Sequence, residues 1–232
     1  MASPHLGVLT GIRAEADLLI RHLPRDLPVT IYLSGARPLQ ARARAEALAE
    51  AGATHLLSFG YAGGLDPALQ PGLLLVPRFV TAPDGTTYPA DGDWLGRALD
   101  AFQGLQPLAA GHLGVDQAIV DAEGKATAFL RSRGARAVDM ESHVLAEAAQ
   151  RRALPFLAIR VILDSAEHAL PPAALKSVTA KGDVSLLRLM ASLAANPMQI
   201  GGLNRLAKAQ RAAARGLLGC CRRAGLAGFG VR

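Results

Sequence analysis

The sequence has few aromatic residues and few cysteines, and these shortages exclude several classes of protein. Aromatic residues make up 4% of the 232 residues, whereas half of all residues are hydrophobic, so the core must be mainly aliphatic. This disfavours a surface that binds single-stranded nucleic acid by stacking bases on aromatic rings. The two cysteines, Cys220 and Cys221, are adjacent. They provide neither a disulfide framework nor a C-x-x-C metal motif, which is typical of a reducing compartment.

Long hydrophobic runs are also missing. No apolar run approaches the roughly 18 residues that span a bilayer. The opening segment MASPHLGVLTG has neither the basic nor the apolar region of a secretory signal. We therefore expect a cytoplasmic protein without a membrane span. Its length suits one α/β domain with a smaller appendage.

Acidic residues are nearly absent from the C-terminal part of the chain. Residues 1–170 contain 15 Lys/Arg and 18 Asp/Glu, a net charge of −3. Residues 171–232 contain ten Lys/Arg and only one acid, Asp183, a net charge of +9, which gives the total of +6. Pro171 and Pro172 mark the boundary. We therefore predict a main domain over 1–170 and a basic helical extension over 171–232 that packs on it or flanks it.

Alternating strand and helix patterns predict a largely parallel sheet covered on both faces. The predicted strands are 6–12, 28–34, 54–59, 72–80, 110–115, 136–140 and 156–163. The predicted helices are 14–23, 38–51, 94–103, 122–133 and 141–153, followed in the extension by 185–195 and 198–224. A loop is predicted at 81–93, where prolines and glycines interrupt regular structure.

Carboxylates follow the carboxyl ends of several predicted strands, the place where open parallel sheets bind ligands. Asp139 and Glu141 follow one strand and share a face in extended geometry. Asp164 follows the last strand, Glu15 lies in the first helical turn, and the glycine-rich GYAGG at 60–64 follows the third strand. Such acids suit cleavage of an N-glycosidic bond, because its transition state is cationic and the departing base must be protonated.

Each of these features also has a purely structural interpretation, and spacing alone leaves the choice open. Asp164 begins a D-x-x-E capping box, so its role could be limited to starting a helix. Asp139 could equally be a helix N-cap. Glu15 could be a solvated residue that interacts favourably with the helix dipole. The segment GYAGG on its own is typical of a tight turn.

Taken together and in order, the segments between residues 6 and 168 resemble the nucleoside phosphorylase and nucleosidase superfamily. GVLTGIRAEADLL resembles its opening strand, turn and helix, and FGYAGGL resembles its G-x-A-G-G loop. GVDQAI at 114–119 is a weak match to its purine-contacting segment, AVDMES resembles V-E-M-E-A, and AIRVILDSA resembles the strand that delivers an acid to the purine. The resemblance implies an α/β/α sandwich with a central mixed, largely parallel sheet and a C-terminal helical tail.

The resemblance also implies a role for each candidate residue in the cleavage of an adenine nucleoside. Asp164 would protonate the purine at its N7 atom, and Glu15 would activate water. Glu141 would bind the ribose hydroxyls. The other implied substrate-binding residues are Met140, which would pack under the ribose, and Asp139, Tyr61, Ala62, Gly63 and Ile119. No metal or organic cofactor is expected.

The sequence departs from the pattern of many phosphorylases at the positions that bind phosphate. The usual arginines are missing, and Ser58 stands before GYAGG instead. Gly11, Arg13 and Arg37 are the remaining candidates, whereas Arg160 is expected to be a strand residue whose guanidinium is paired internally. Water and inorganic phosphate therefore both stay open as the group that attacks the sugar.

Within the superfamily, VDMESH, RVILDSAEHALPPAAL and the basic tail resemble the hopanoid-associated phosphorylase branch. That branch is implied to release adenine from adenosylhopane. A basic amphipathic tail could lie on the inner face of an anionic membrane, where a lipid-linked nucleoside would be found. The alternative for the tail is a solvated helix that caps the core.

Two other functions compete with this interpretation. One is a nucleosidase of the same fold that acts on soluble 5′-methylthioadenosine or S-adenosylhomocysteine. The other is a protein that binds nucleic acid or a membrane and has a degenerate site. The presence of Glu15, Glu141 and Asp164 together disfavours the latter. The expected partners are thus a small-molecule nucleoside and, by resemblance, a second copy of the chain, with no nucleic acid.

Overall fold

A computed structural model of the chain describes residues 4–35, 37–167 and 200–231. They form a mixed sheet with helices on both faces, which confirms the predicted fold class. The strands are β1 (Leu6–Thr10), β2 (Val29–Leu33), β3 (His55–Gly64), β4 (Leu74–Leu75), β5 (Phe79–Thr81), β6 (Thr87–Pro89), β7 (Gly111–Gly114), β8 (Ala135–Asp139) and β9 (Phe156–Asp164). The helices are α1 (Arg13–His22), α2 (Pro38–Glu50), α3 (Gly92–Phe102), α4 (Ala122–Arg131), α5 (Ser142–Arg151) and α6 (Ile200–Ala227).

Strand β3 is the centre of the sheet. It lies parallel to β1 on one side and parallel to β9 on the other, and its end pairs antiparallel with β8 at Gly63 and Gly64. The strand order is β2-β1-β3-β8-β7-β5-β6, and β9 additionally pairs with β3 and β4. Because β3 touches β1, β8 and β9, the ends of the strands that carry the candidate acids come together around it.

Apolar side chains form two layers, one on each face of the sheet. Successive side chains of a strand point to opposite faces, so Val8 enters one layer and Leu9 the other. The layer around Leu9 includes Leu145 and lies under α2 and α5. The layer around Val8 includes Leu217 and Cys221, both of which belong to α6. The last helix thus completes one of the two faces of the core.

Helix α6 packs on the sheet with its apolar side. Ala213, Leu217, Cys220 and Cys221 are buried, whereas the basic side chains of Lys208, Arg211, Arg215, Arg222 and Arg223 are exposed. The approach is close, since a side chain at Gly216 would overlap the carbonyl oxygen of Gly72. The described part of the tail therefore caps the core and leaves its basic side to the solvent.

Hydrogen bonds fix the end of the chain after α6. The Trp94 indole Nε1–H donates to the carbonyl oxygen of Phe229 at 2.7 Å, and Arg97 Nε–H donates to that of Gly230 at 2.6 Å. The Phe229 ring lies edge-on to Phe59 and Phe102 in the core. The C-terminal residues are therefore integrated into the same core as α3 and β3.

The packing of α6 predicts unequal effects for two adjacent leucines. We expect Leu217→Ala to lower the free energy of unfolding by about 2–5 kcal/mol, because Leu217 is buried and its truncation leaves a cavity. Leu218 is half-exposed, so Leu218→Ala should cost about 1 kcal/mol or less. Urea unfolding of both variants measures the difference. Equal losses would contradict the docked position of α6.

Three predictions of local structure were wrong. GYAGG is not a turn, because it continues β3, and Gly63 and Gly64 pair with β8. The predicted strand 72–80 is divided into β4 and β5, with Pro77 between them. The predicted loop 81–93 contains β6, which forms an antiparallel hairpin with β5. The predicted helix at 185–195 lies outside the described residues.

Candidate active site

The four candidate acids are all buried. Glu15, Asp139, Glu141 and Asp164 are between 3% and 7% exposed. A methyl group built on Gly11 would lie 3.4 Å from Oε1 of Glu141 and 3.5 Å from Oε2 of Glu15, so these two carboxylates flank the same glycine. Buried carboxylates are costly unless they are paired. The partners of each acid therefore decide what the cluster can do.

Glu15 is held by the backbone. Its Oε2 accepts hydrogen bonds from the N–H groups of Gly11 and Ile12, each at 2.9 Å, and its Oε1 accepts one from Tyr61 at 2.8 Å. Gly60 is required beside it, because any side chain there would overlap the carboxylate. Burial raises the pKa of Glu15, although these hydrogen bonds and Arg160 oppose the rise. The solvated interpretation of Glu15 is wrong.

Asp139 forms an internal ion pair with Arg160. The Arg160 Nε lies 2.5 Å from Oδ2 of Asp139, and its guanidinium also donates to the hydroxyls of Ser58 and Ser142. His112 Nε2 lies 3.2 Å from the same carboxylate oxygen. Burial raises the pKa of Asp139, but Arg160 and His112 outweigh it and hold that pKa well below its ordinary range. The expectation that Arg160 is paired internally agrees with this geometry.

Asp139 also binds the backbone at the start of helix α5, although the N-cap residue of that helix is Glu141 and not Asp139. Its Oδ1 accepts hydrogen bonds from the backbone N–H groups of Ser142 at 2.9 Å and Glu141 at 3.2 Å. Both of its oxygens are thus engaged by the protein. Asp139 anchors the start of α5 and, through it, the position of Glu141.

Glu141 faces the end of β1. Its Oε1 accepts a hydrogen bond from the Ser34 hydroxyl at 2.9 Å. Burial and the nearby charge of Asp139 raise the pKa of Glu141 to about 7, against the lowering influence of Arg160. A carboxylate has about four acceptor positions. Glu141 is therefore suited to accept hydrogen bonds from the hydroxyls of a bound ligand.

Asp164 lies at the end of β9 and is paired with Lys125 of α4. The Lys125 Nζ contacts Oδ2 of Asp164 and donates to the carbonyl oxygen of Ser165 at 3.0 Å. Burial raises the pKa of Asp164, and Lys125 opposes the rise. The other oxygen, Oδ1, lies beside Gly63, 3.4 Å from the position of a built Cβ. A carboxyl group in this environment is suited to hold and release a proton.

Some of the remaining predicted site residues lie beside the carboxylates, and others pack in the core or are exposed. Near the carboxylates lie Ala62 and Gly63, which belong to β3, and Met140, which joins Asp139 to Glu141. Tyr61 contributes its backbone N–H to Glu15, while its ring packs against the core on the side of α6. Ile119 packs next to Val138 and Leu65. Arg13 and Arg37, the candidates for phosphate, are both exposed.

Several functional candidates were missed by the sequence analysis. They are Ser34, His112, Lys125 and Ser142, which hold the acids in place. Serine and histidine within a strand or helix pattern carry no signal of burial. A lysine in the first turn of a helix is typical of an exposed residue. Only the fold brings these side chains to the acids.

Comparison with known protein families shows to which family the chain belongs. The sequence pattern that defines the phosphorylase superfamily matches residues 14–195. The chain belongs to the phosphorylase superfamily. The superfamily match runs through the boundary predicted at residue 170, so it includes the beginning of the basic extension. No curated protein matches the chain significantly by sequence.

Solved structures share the superfamily fold with this chain. Futalosine hydrolase of Helicobacter pylori is 17% identical with a TM-score of 0.67, covering 83% of this chain and 98% of its own. A 5′-methylthioadenosine/S-adenosylhomocysteine nucleosidase of Colwellia psychrerythraea in complex with adenine is 18% identical with a TM-score of 0.67, covering 83% and 96%. The S-adenosylhomocysteine nucleosidase of Streptococcus pyogenes is 15% identical with a TM-score of 0.69, covering 96% and 98%. At these identities the likeness shows the fold.

Proposed function

We propose that this member of the phosphorylase superfamily hydrolyses the N-glycosidic bond of an adenine nucleoside. The supporting observation is that the backbone N–H groups of Gly11, Ile12 and Tyr61 all donate to Glu15. A phosphate ion needs such donors or cationic side chains. Here the Glu15 carboxylate occupies the donors and would repel the ion. Water is therefore the favoured attacking group.

Each of three buried acids has a separate role in the proposed reaction. Asp164 gives its proton to the purine as the bond between sugar and base breaks and its electron pair passes to the base. Water adds to the sugar carbon, and Glu15 accepts the proton that this water loses. Glu141 accepts hydrogen bonds from the ribose hydroxyls, and its negative charge stabilises the positive charge that develops on the sugar. Atoms and charge balance without a metal or a redox cofactor.

The solved structures of the same fold support this chemical class. Two of those described above are nucleosidases, and the Colwellia psychrerythraea structure contains adenine. The third is named a hydrolase. An adenine nucleoside is therefore the substrate class that we propose for this chain.

We propose further that the preferred substrate is adenosylhopane. The support is the resemblance of VDMESH and RVILDSAEHALPPAAL to the hopanoid-associated branch. The exposed basic side of α6 offers a surface for the anionic membrane in which such a lipid resides. 5′-Methylthioadenosine and S-adenosylhomocysteine are the soluble alternatives.

A single assay compares these substrates. The protein is incubated with adenosylhopane in mixed micelles, with 5′-methylthioadenosine and with S-adenosylhomocysteine, each with and without inorganic phosphate. Adenine release and the sugar product are followed by mass spectrometry. We expect a free ribosyl product at a rate that phosphate does not change. A phosphorylated sugar would overturn hydrolysis, and faster turnover of a soluble substrate would overturn adenosylhopane.

Glu141 should determine the preference for ribose. We expect Glu141→Gln to lower kcat/KM for the ribonucleoside by about 10–100-fold, because hydrogen bonds to a charged group are worth about 1.5–3 kcal/mol. The 2′-deoxyribonucleoside should lose less, since it already lacks one hydroxyl. Steady-state kinetics on both nucleosides measures the ratio. Glu147→Gln, an acid on the outer side of α5, serves as the control and should leave both rates unchanged. Equal losses on the two nucleosides would remove the ribose role.

The basic side of α6 should bind anionic membranes. Lys208, Arg211, Arg215 and Arg222 recur at helical spacing and are all exposed. Each contributes about 1 kcal/mol near an anionic surface. We expect the protein to sediment with phosphatidylserine vesicles at low salt and to be released as salt rises. A variant with these four residues changed to Gln should stay in the supernatant and still cleave a soluble nucleoside. If the wild-type protein does not sediment, the membrane contact is wrong.

A further inference from the structure

Lys125 is buried at the site, although its position in the sequence gives no sign of this. It is 0% exposed, and its ammonium group contacts Asp164 Oδ2 and the carbonyl oxygen of Ser165. Lys208, the other lysine whose side chain the structure describes, is exposed. Asp121 caps α4 by accepting a hydrogen bond from the Gly124 N–H, which fixes the helical turn that carries Lys125.

A buried ion pair needs an explanation beyond stability. The removal of two charges from water costs several kcal/mol, and well-packed apolar residues of similar volume often stabilise a protein as much or more. Lys125 instead extends from α4 to the last residue of β9. This is the residue that the proposed reaction uses as the acid.

Among the described residues, Lys125 is the charged side chain that acts on the pKa of Asp164. Strand β3, its partner in the sheet, presents Gly63 and Gly64, which have no side chains. Strand β8 presents Val138 at Gly63. Helix α4 presents Lys125. The electrostatic environment of Asp164 is therefore set by one cation.

We propose that Lys125 is a positioning residue for Asp164: its ammonium donates a hydrogen bond to Oδ2 and leaves Oδ1, beside Gly63, to carry the proton that passes to the leaving base. Once Asp164 has given up that proton, its carboxylate is left buried, and the Lys125 ammonium stabilises the new negative charge. The proposal rests on the proposed function for the identity of the proton acceptor. The pairing of the two side chains does not depend on it.

The sign of the expected change follows from these contacts. Burial raises the pKa of Asp164, and the ammonium of Lys125 lowers it. Removal of the ammonium leaves burial unopposed, so the pKa of Asp164 rises further. A neighbouring opposite charge typically shifts a carboxyl by about 1–3 pH units. In Lys125→Met we therefore expect the alkaline limb of the kcat/KM profile, where Asp164 loses its proton, to move up by about one unit or more.

Three variants separate charge from packing. Lys125→Met removes both the charge and the hydrogen bonds, Lys125→Gln keeps a neutral donor, and Lys125→Arg keeps the charge. We expect the limb to move upward in the first two and to stay near its wild-type position in Lys125→Arg. The use of two neutral variants keeps the test valid if one of them fails to fold.

A second measurement does not depend on turnover. The carboxyl carbon of Asp164 is followed by NMR in protein labelled with carbon-13 aspartate, and its signal is assigned by its loss in Asp164→Asn. We expect its titration midpoint to be higher in Lys125→Gln or Lys125→Met than in wild type. An unchanged midpoint would overturn the role of Lys125. Absence of purine release by the wild-type protein would instead overturn the proposed function and leave the NMR result standing.

Discussion

We expect the replacement of Asp164 with Asn to lower the turnover number by about 10²–10⁴-fold, the usual contribution of a general acid. The amide has the shape of the carboxyl group and keeps an oxygen that can accept a hydrogen bond from Lys125. It cannot, however, pass a proton to the departing purine. Steady-state adenine release measures kcat, and thermal unfolding followed by circular dichroism verifies that the variant is folded.

Asp121→Asn is the matched control for this prediction. Asp121 caps α4, the helix that carries Lys125, and its side chain is exposed. Asn caps a helix about as well as Asp. The control should therefore keep both its turnover and its stability. A folded Asp164→Asn variant with near wild-type turnover would reduce Asp164 to a structural residue.

Replacement of Glu15 with Gln should cause a loss of similar size, about 10²–10⁴-fold in kcat. Glu15 is the proposed base for water, and an amide cannot accept the proton that water loses. The change also has a structural cost. The Glu15 carboxylate accepts from Tyr61 with one oxygen and from Gly11 and Ile12 with the other, and the amide NH₂ must face one of these donors. An unpaired buried donor costs about 1–3 kcal/mol, so unfolding must be measured beside kcat.

The control for Glu15 is Glu123→Gln. Glu123 occupies the first turn of α4 as Glu15 occupies the first turn of α1, but it is exposed. It should leave turnover unchanged. The rate of the Glu15→Gln variant also distinguishes water from phosphate as the group that attacks the sugar. If phosphate attacked the sugar, the loss of a neighbouring negative charge would ease its binding, so a rate equal to or above wild type in phosphate buffer would contradict hydrolysis.

The residues that could be predicted from the sequence are those that come directly after a strand or its turn, because the sheet places them all at the same edge. Glu15, Glu141 and Asp164 each follow a strand, and the strands of an α/β sheet converge at their carboxyl ends. The fold class follows from the same alternation of strands and helices. The strand limits were predicted to within one or two residues where apolar residues are continuous, as in β9.

The residues that could not be predicted depend on contacts between distant elements. Lys125 meets Asp164 across 39 positions, and Ser34 meets Glu141 across 107. No local pattern carries such information. The continuation of β3 through GYAGG escaped prediction for a related reason. Glycine-rich sequence is typical of turns, but here a glycine is needed at Gly60 because a side chain there would overlap the Glu15 carboxylate.

The packing of α6 on the sheet affects when the core can fold during synthesis. The face of the sheet that contains Phe59 and Val161 is covered by Leu217, Cys221 and Phe229, which follow every proposed acid along the chain and so leave the ribosome after them. Until then, a nascent chain that already contains every proposed acid exposes that apolar face. We therefore expect this face to fold only after α6 and Phe229 have been synthesised, and expect a nascent chain without them to be a substrate for chaperones that bind apolar surface.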